Sequence, residues 1–349
     1  MRTRARNKMA VWMTALLVLI LITAGCGGAQ NNGATPSNGN AGEQPKESVK
    51  WVHGIIVPRL DSGYQLMAKE KDFFKKYGVN IEYKEFDGDV SALQALVAGQ
   101  VDSIEANPAS SLAAIQQGAK LKIIGATLTG NPLLIYAKSS IKSFEDLKGK
   151  TIGVTAPGSM PDMTLKGMLK AKGIDINSVN IVVSGTDAQR YQALVAGKLD
   201  ATAGTSDYVS NAATDGINIL AYASDVIPNY PRFVVIANEQ SLQQRPQGAV
   251  GFLAAQMEGL TYALEHRDEA IALAAKTMKM PANTPSLAQV YDEYKNKNYV
   301  SPKGEIPVEK IEWLQNLMID LGRMTSKVDI KSIVDQSYRD QALKLANIK

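Results

Sequence analysis

Leu93-Gln94-Ala95-Leu96-Val97-Ala98-Gly99-Gln100-Val101-Asp102 is echoed by Tyr191-Gln192-Ala193-Leu194-Val195-Ala196-Gly197-Lys198-Leu199-Asp200. Seven of the ten positions are identical, and Gln94 and Gln192 set the offset at 98 residues. In each copy the apolar spacing predicts a helix that ends at the glycine, where the left-handed backbone carries no Cβ penalty. A strand is expected to start near the Asp. Self-similarity at this distance marks a duplicated structural unit.

The surrounding grammar repeats in the same order. In the first copy 50–57 reads as a strand, followed by a helix from Ser62, which stands at capping-box spacing from Gln65, to Gly78. A strand over 79–86 follows, then a helix capped by Asp89 and a strand over 101–105. Asn107-Pro108 supplies an N-cap with proline at the first helical position. That helix ends at Gly118, and 121–127 is a fourth strand. In the second copy the strands fall at 151–155, 179–183, 200–203 and 217–222. Their helices open at Ser159 (with Asp162), Thr186 (with Gln189) and Thr205 or Ser206. The cap pairs Ser62/Ser159, Asp89/Thr186 and Asn107/Ser206 lie 97, 97 and 99 residues apart.

Alternating strands and helices predict an α/β protein of two doubly wound lobes, with parallel sheets covered on both faces. Ligands gather at the carboxyl ends of such strands, which is where the caps lie. Two facing rims would enclose a cleft of free backbone N–H groups and short polar side chains, suited to an oxygen-rich or anionic solute. The segments 248–265, 269–279, 287–294, 308–323 and 333–346 carry helical spacing and are expected to pad the first lobe. Strand-like 133–137 and 233–237 are expected as hinge strands at two chain crossings. Lobe 1 is then 49–138 with 233–349, and lobe 2 is 139–232.

The N-terminus reads differently. Arg2, Arg4, Arg6 and Lys8 precede a thirteen-residue apolar run over 10–22, short of the roughly 20 residues that span a bilayer. This is the grammar of a signal peptide, 1–25. The one cysteine of the chain, Cys26, follows it. The stretch to Ser48 is rich in Gly, Asn, Gln, Pro and Ser, so 26–48 reads as a flexible tether. Four of the 38 Lys and Arg lie in the leader; the other 34 balance 34 Asp and Glu. That balance argues against a nucleic-acid partner. Two histidines, His53 and His266, indicate no metal cluster, and P-loop and Gly-x-Ser-x-Gly motifs are missing. The expectation is a protein that is not an enzyme and takes no cofactor.

Ser143-Phe144-Glu145-Asp146-Leu147-Lys148-Gly149-Lys150-Thr151-Ile152-Gly153-Val154 resembles the lobe-crossing signature of type 2 periplasmic-binding proteins. The paired Ala-Leu-Val-Ala-Gly-x-x-Asp segments and Asp72-Phe73-Phe74-Lys75-Lys76-Tyr77-Gly78-Val79 are similar to the group that binds aliphatic sulfonates, taurine, nitrate and thiamine-pyrimidine precursors. The resemblance implies a monomeric solute receptor of an ABC importer. It would close on a small organic solute, with an aliphatic-sulfonate or taurine-like anion favoured, and hand it to a permease and through it an ATPase. A thiamine-pyrimidine-like heterocycle is the close variant. A pyrimidine-synthesis enzyme of the same fold is the rival, although its cysteine-rich segment is not found here. Thr23-Ala24-Gly25-Cys26 resembles a bacterial lipobox, implying cleavage before Cys26, acylation of its thiol, and a lipid-anchored place on the extracytoplasmic face of the cell membrane.

Candidate ligand contacts follow from the strand ends. Gly158, Ser159 and Met160 open one helix, and Thr186 and Asp187 another. Arg59, Asp61, Ser62 and Tyr64 follow the first strand; Arg59 either pairs bidentately with a sulfonate or carboxylate or stays a solvated loop cation. Asn107, Thr127 and Thr205 complete the rim. Asp61, Asp89, Glu105, Asp162 and Asp207 also lie near strand ends, and an acidic lining would favour an amine or protonated heterocycle. For Asp89 and Asp162 helix capping is preferred. For the anchor, Cys26→Ala is expected to abolish lipid labelling and release the protein from the membrane fraction; unchanged retention would refute acylation at Cys26.

Overall fold

The computed structural model describes residues 48–349. The expected signal, Cys26 and nearly all of the tether lie outside the described residues. Ten strands form two five-stranded sheets of identical order. The first contains β1 (Val49–Ile55), β2 (Val79–Glu85), β3 (Ser103–Ala106) and β4 (Leu121–Leu128). The second contains β5 (Leu133–Lys138), β6 (Thr151–Val154), β7 (Asn180–Val183), β8 (Ala201–Thr205) and β9 (Ile217–Tyr222). With β10 (Phe233–Asn238) the first runs β2-β1-β3-β10-β4, and the second β7-β6-β8-β5-β9.

The sheets are mixed, where the sequence predicted parallel ones. β1 is parallel to β2 and β3, and β6 to β7 and β8, but β10 is antiparallel to β3 and β4, and β5 to β8 and β9. The reason is topological: the strand that follows each crossing enters its sheet running against its neighbours. It fills the slot between the third and fourth strands of the copy, so both are interior strands. β5 pairs entirely within the second sheet, although the expected lobe boundary at 138 put it with the first.

The repeated Asp has a definite task. Asp102 Oδ2 accepts from Val52 N at 2.8 Å, and Asp102 N donates to Val52 O at 2.8 Å. In the second copy Asp200 Oδ2 accepts from Thr151 N and Asp200 N donates to Thr151 O, both at 2.9 Å. Each carboxylate thus closes a ring onto the neighbouring strand and sets its register. The other oxygen takes Ser241 Oγ at 2.7 Å and Arg245 in the first copy, and Lys138 Nζ at 2.7 Å in the second. The preceding Gly99 and Gly197 have φ of 69° and 74°, the left-handed turn that brings each chain into its strand.

The caps are only partly as expected. Asn107 Oδ1 accepts from Ala109 N at 3.0 Å, and Thr186 forms a full capping box with Gln189. Ser62 is instead the first residue of a one-turn helix, Ser62–Gln65, and its hydroxyl accepts from Arg59 N at 2.9 Å. Asp89 is the first residue of the helix Asp89–Val97, and its carboxylate accepts from Asn107 N at 3.1 Å. Ser159 holds the N-cap place of Met160–Ala171, but its Oγ accepts from Ala156 N, while Asp162 accepts from Gly158 N at 2.7 Å. In each case a loop amide out-competes the helix amide for the short side chain.

All five C-terminal segments are helical: Pro246–Glu265, Arg267–Met278, Pro285–Asn296, Val308–Asp320 and Gln336–Ala346. Phe252 and Leu253 of the longest pack with Trp51, Ile124, Val235 and Ala342 beneath the first sheet. Val308–Asp320 reaches further. Its Leu317 shares a core with Met168 and Ile227, and Asp320 pairs with Lys170 at 2.8 Å, so it bridges to the helix beside the second sheet. Asp102 is buried and serves an amide, a hydroxyl and a guanidinium, whereas Asp200 is more open. Asp102→Ala is therefore expected to cost about 1–3 kcal/mol, and more than Asp200→Ala, measured as the shift in urea midpoint. Equal, negligible losses would refute the anchoring role.

Candidate ligand-binding cleft

The loops at the carboxyl ends of both sheets enclose a cleft of about 370 Å³. One wall is Ile56–Arg59 after β1, Phe86–Asp89 after β2, and Phe233 at the start of β10. The other is Thr155 after β6, Ser159 to Pro161, Thr186 to Ala188, Thr205, Asp207 and Tyr208, with Leu133 at the start of β5. Met278 adds an apolar side chain from the C-terminal helices. Asp89 and Asp187 stand 98 residues apart, as do the repeat segments, so the duplication itself places equivalent residues on facing walls.

Arg59 is held from behind. Asp61 Oδ1 accepts from its Nε at 3.3 Å, and the guanidinium lies 5.3 Å from the centroid of Phe233. Among the described residues its Nη1 and Nη2 meet no protein acceptor. Burial alone would lower its pKa; Asp61 and, across the cleft, Asp187 and Asp207 outweigh this and raise it. Asp61 is itself buried and accepts from Arg232 Nη1 at 2.5 Å and Tyr294 Oη at 3.2 Å. Burial opposes its ionisation, but Arg232 and Arg59 hold its carboxyl below the usual range. Nε and Nη2 of Arg232 are buried without a protein partner.

The second wall is organised by Arg190, which is fully buried. It donates to Thr155 Oγ1 and Gly185 O at 2.6 Å, to Ala203 O at 3.1 Å, and to Asp187. It thereby ties the ends of β6, β7 and β8 together behind the lining. Thr205 Oγ1 is buried without a protein partner. Asp207 is half-buried in the cleft. Burial, then repulsion from Asp61, pushes its pKa up to about 7 against the pull of Arg59.

Of the residues singled out in the sequence, Arg59, Ser159, Met160, Thr186, Asp187 and Thr205 line the cleft. Asp61 and Ser62 lie behind Arg59 and set its position. Gly158 forms the turn beside Ser159, with φ of 80°. Tyr64 is in the core, stacked on Tyr291 at 5.0 Å and donating to Tyr291 O. Asn107 is buried and binds Pro231 O and Arg232 O at 3.0 and 3.1 Å, fastening the second crossing. Thr127 is buried with Oγ1 unpartnered, outside the lining. Sequence reasoning missed Phe86, Asp87, Tyr208 and Phe233 as lining and Arg190 as their support. For Phe233 the signal was its place at a crossing.

Among the described residues no group of three His, Cys, Asp or Glu is arranged to hold a metal ion. His53 accepts or donates at Ser103 Oγ, 2.8 Å away, and burial pushes its pKa down to about 3, so it is neutral.

The pattern of the NMT1/THI5 like family matches residues 61–270. The chain belongs to that family. A Bacillus subtilis (strain 168) protein named for the binding of aliphatic sulfonates is 26% identical over 343 residues, 95% of this chain and 96% of that protein. The formylaminopyrimidine-binding protein of Halalkalibacterium halodurans is 25% identical over 80% of this chain and 82% of its own. The periplasmic aliphatic sulphonate binding protein SsuA from Escherichia coli superposes with a TM-score of 0.67 at 23% identity, over 82% of this chain and 92% of that one. The fold is that of the type 2 periplasmic-binding proteins.

Asp207 gives a test of the cleft electrostatics. Its folded pKa of about 7 lies above the ordinary 3.8, so between these values the folded state binds more protons than the unfolded state. Stability attributable to this group therefore falls as pH rises through that window. Asp207→Asn is expected to be more stable than the parent at pH 8, with the gap closing near pH 4, in urea titrations across pH. Parallel pH profiles for the two proteins would overturn the assignment.

Proposed function

We propose that this protein is the solute receptor of an ABC importer and that its solute is a small organic anion. The observation that carries the reading is Arg59, which lines the cleft with its two terminal nitrogens free of any protein acceptor among the described residues while Asp61 holds its Nε. A planar guanidinium with two free donors matches the paired oxygens of a sulfonate or carboxylate. From the opposite wall Thr205 Oγ1, Ser159, and the amides at the start of Asp187–Val195 supply further donors. Phe86, Phe233, Leu133 and Met160 offer apolar surface to the organic part.

Residues 48–128 and 233–349 then act as one lobe and 133–222 as the other, hinged at 129–132 and 223–232. A solute that touches both walls only when they approach favours the closed state by its differential affinity. Acylated Cys26 and the tether would hold the receptor, as a monomer, on the extracytoplasmic face near its permease. The relatives named for binding rather than catalysis support a receptor over an enzyme.

A second reading is favoured by Asp207. A carboxyl with a raised pKa beside Tyr208 and Phe233 suits an amino-substituted heterocycle, in line with the formylaminopyrimidine-binding relative. The two readings differ at one residue each. Arg59→Ala is expected to weaken an anionic solute about ten- to a hundredfold by calorimetric titration, in protein that is less stable but stays folded because Arg232 and Tyr294 still pair with Asp61. Full affinity in Arg59→Ala, with loss in Asp207→Asn, would replace the anion by the heterocycle.

A further inference from the structure

Beyond the cleft lies a second cavity, of about 590 Å³. Asp207, Tyr208 and Met278 belong to the walls of both, so the second cavity adjoins the cleft at these residues and forms an outer compartment beside it. The outer compartment has a built wall. Tyr191 and Tyr208 stack with centroids 4.4 Å apart and planes 13° from parallel, and Tyr136 backs Tyr191 edge-on at 5.3 Å. Hydrogen bonds fix two of the three rings: Tyr136 Oη donates to Thr205 O at 2.7 Å, and the central Tyr191 Oη to Asp215 at 2.8 Å. Facing it are Met278, Met280 and Leu60. Lys279, between the two methionines, adopts the left-handed conformation at φ 55°, and both methionines that flank it line the compartment.

A fixed aromatic wall opposite two flexible, polarisable thioethers makes a slot that adapts to a flat apolar group. Asp215 and Asn211 at the outer end are exposed, so the slot is open rather than capped. We infer that this outer compartment takes an aromatic or extended apolar tail of the solute whose polar head lies in the cleft. The inference rests on the solute-receptor reading and narrows its substrate class to tailed solutes, larger than a two-carbon sulfonate.

Matched pairs that share a head and differ in tail test it: ethanesulfonate against 2-phenylethanesulfonate, and 4-aminopyrimidine against its 5-benzyl derivative. Each is titrated calorimetrically into the parent, Met280→Ala and Ala196→Trp. Met280 is half-buried and Ala196 exposed, both confined to the outer compartment, so the fold tolerates the changes. Within the head class that binds, the tailed member is expected to bind at least about tenfold tighter to the parent, about 1.4 kcal/mol. Met280→Ala is expected to reduce that gain, and Ala196→Trp, which fills the slot, to abolish it, with the short member unchanged in both. No tail gain in the parent, or a gain that survives Ala196→Trp, overturns the compartment. Which head binds decides between anion and heterocycle separately, and binding of no member overturns both readings.

Discussion

Asp61, buried between Arg59 and Arg232, is the interaction on which the cleft depends. A carboxylate taken out of water is stable only if its partners repay the lost hydration, and removing one member would strand a charge. Three parts of the chain meet there: the loop after β1, the second crossing through Arg232, and the helix Pro285–Asn296 through Tyr294. Asn107 adds two bonds to the carbonyls beside Arg232. The cluster leaves one guanidinium edge, that of Arg59, turned to the cleft. A guanidinium held by a buried ion pair keeps a fixed direction.

Duplication explains the symmetry of the rest, and divergence explains its chemistry. Both copies keep the same strand order and the same Asp ring onto the first strand, since these define the sheet. The walls differ where the sheet does not constrain them. Position 92 is a buried alanine in the first copy, and position 190, its counterpart, is the arginine that binds three strand ends. One wall presents a cation over the Phe233 ring, and the other hydroxyls, helix amides and a carboxyl of raised pKa. Across the cleft Asp187 and Asp207 help to raise the pKa of Arg59, so the facing walls differ in charge there.

The crossings and the C-terminal helices tie these walls together. β5 and β10 are interior strands of their sheets, so the segments before them are anchored at one end. Val308–Asp320 lies against Met160–Ala171 through Leu317 and the Lys170–Asp320 pair. Arg323 approaches Asp162, at 3.3 Å, from just beyond that helix. These contacts tie the C-terminal segment to the helix beside the second sheet.

Local chemistry was readable from the chain alone. The period-98 repeat, the glycine stops, the caps at Asn107 and Thr186 and the order of strands follow from short-range spacing, because helices and turns are decided by neighbours in the chain. So did the place of the cleft, because strand ends in α/β sheets gather at one rim. Partnership across distance was not readable. That Ser62 serves Arg59 rather than its helix, that Tyr64 stacks in the core, that β5 runs antiparallel in the second sheet, and that Arg190 stands behind the lining all depend on which residues burial brings together. A polar side chain near a strand end has several acceptors within reach, and only packing selects one. Short-range spacing set two α/β copies with their caps at the strand ends; packing selected which residues of those rims line the cleft, because burial obliges every enclosed charge to find its own partner.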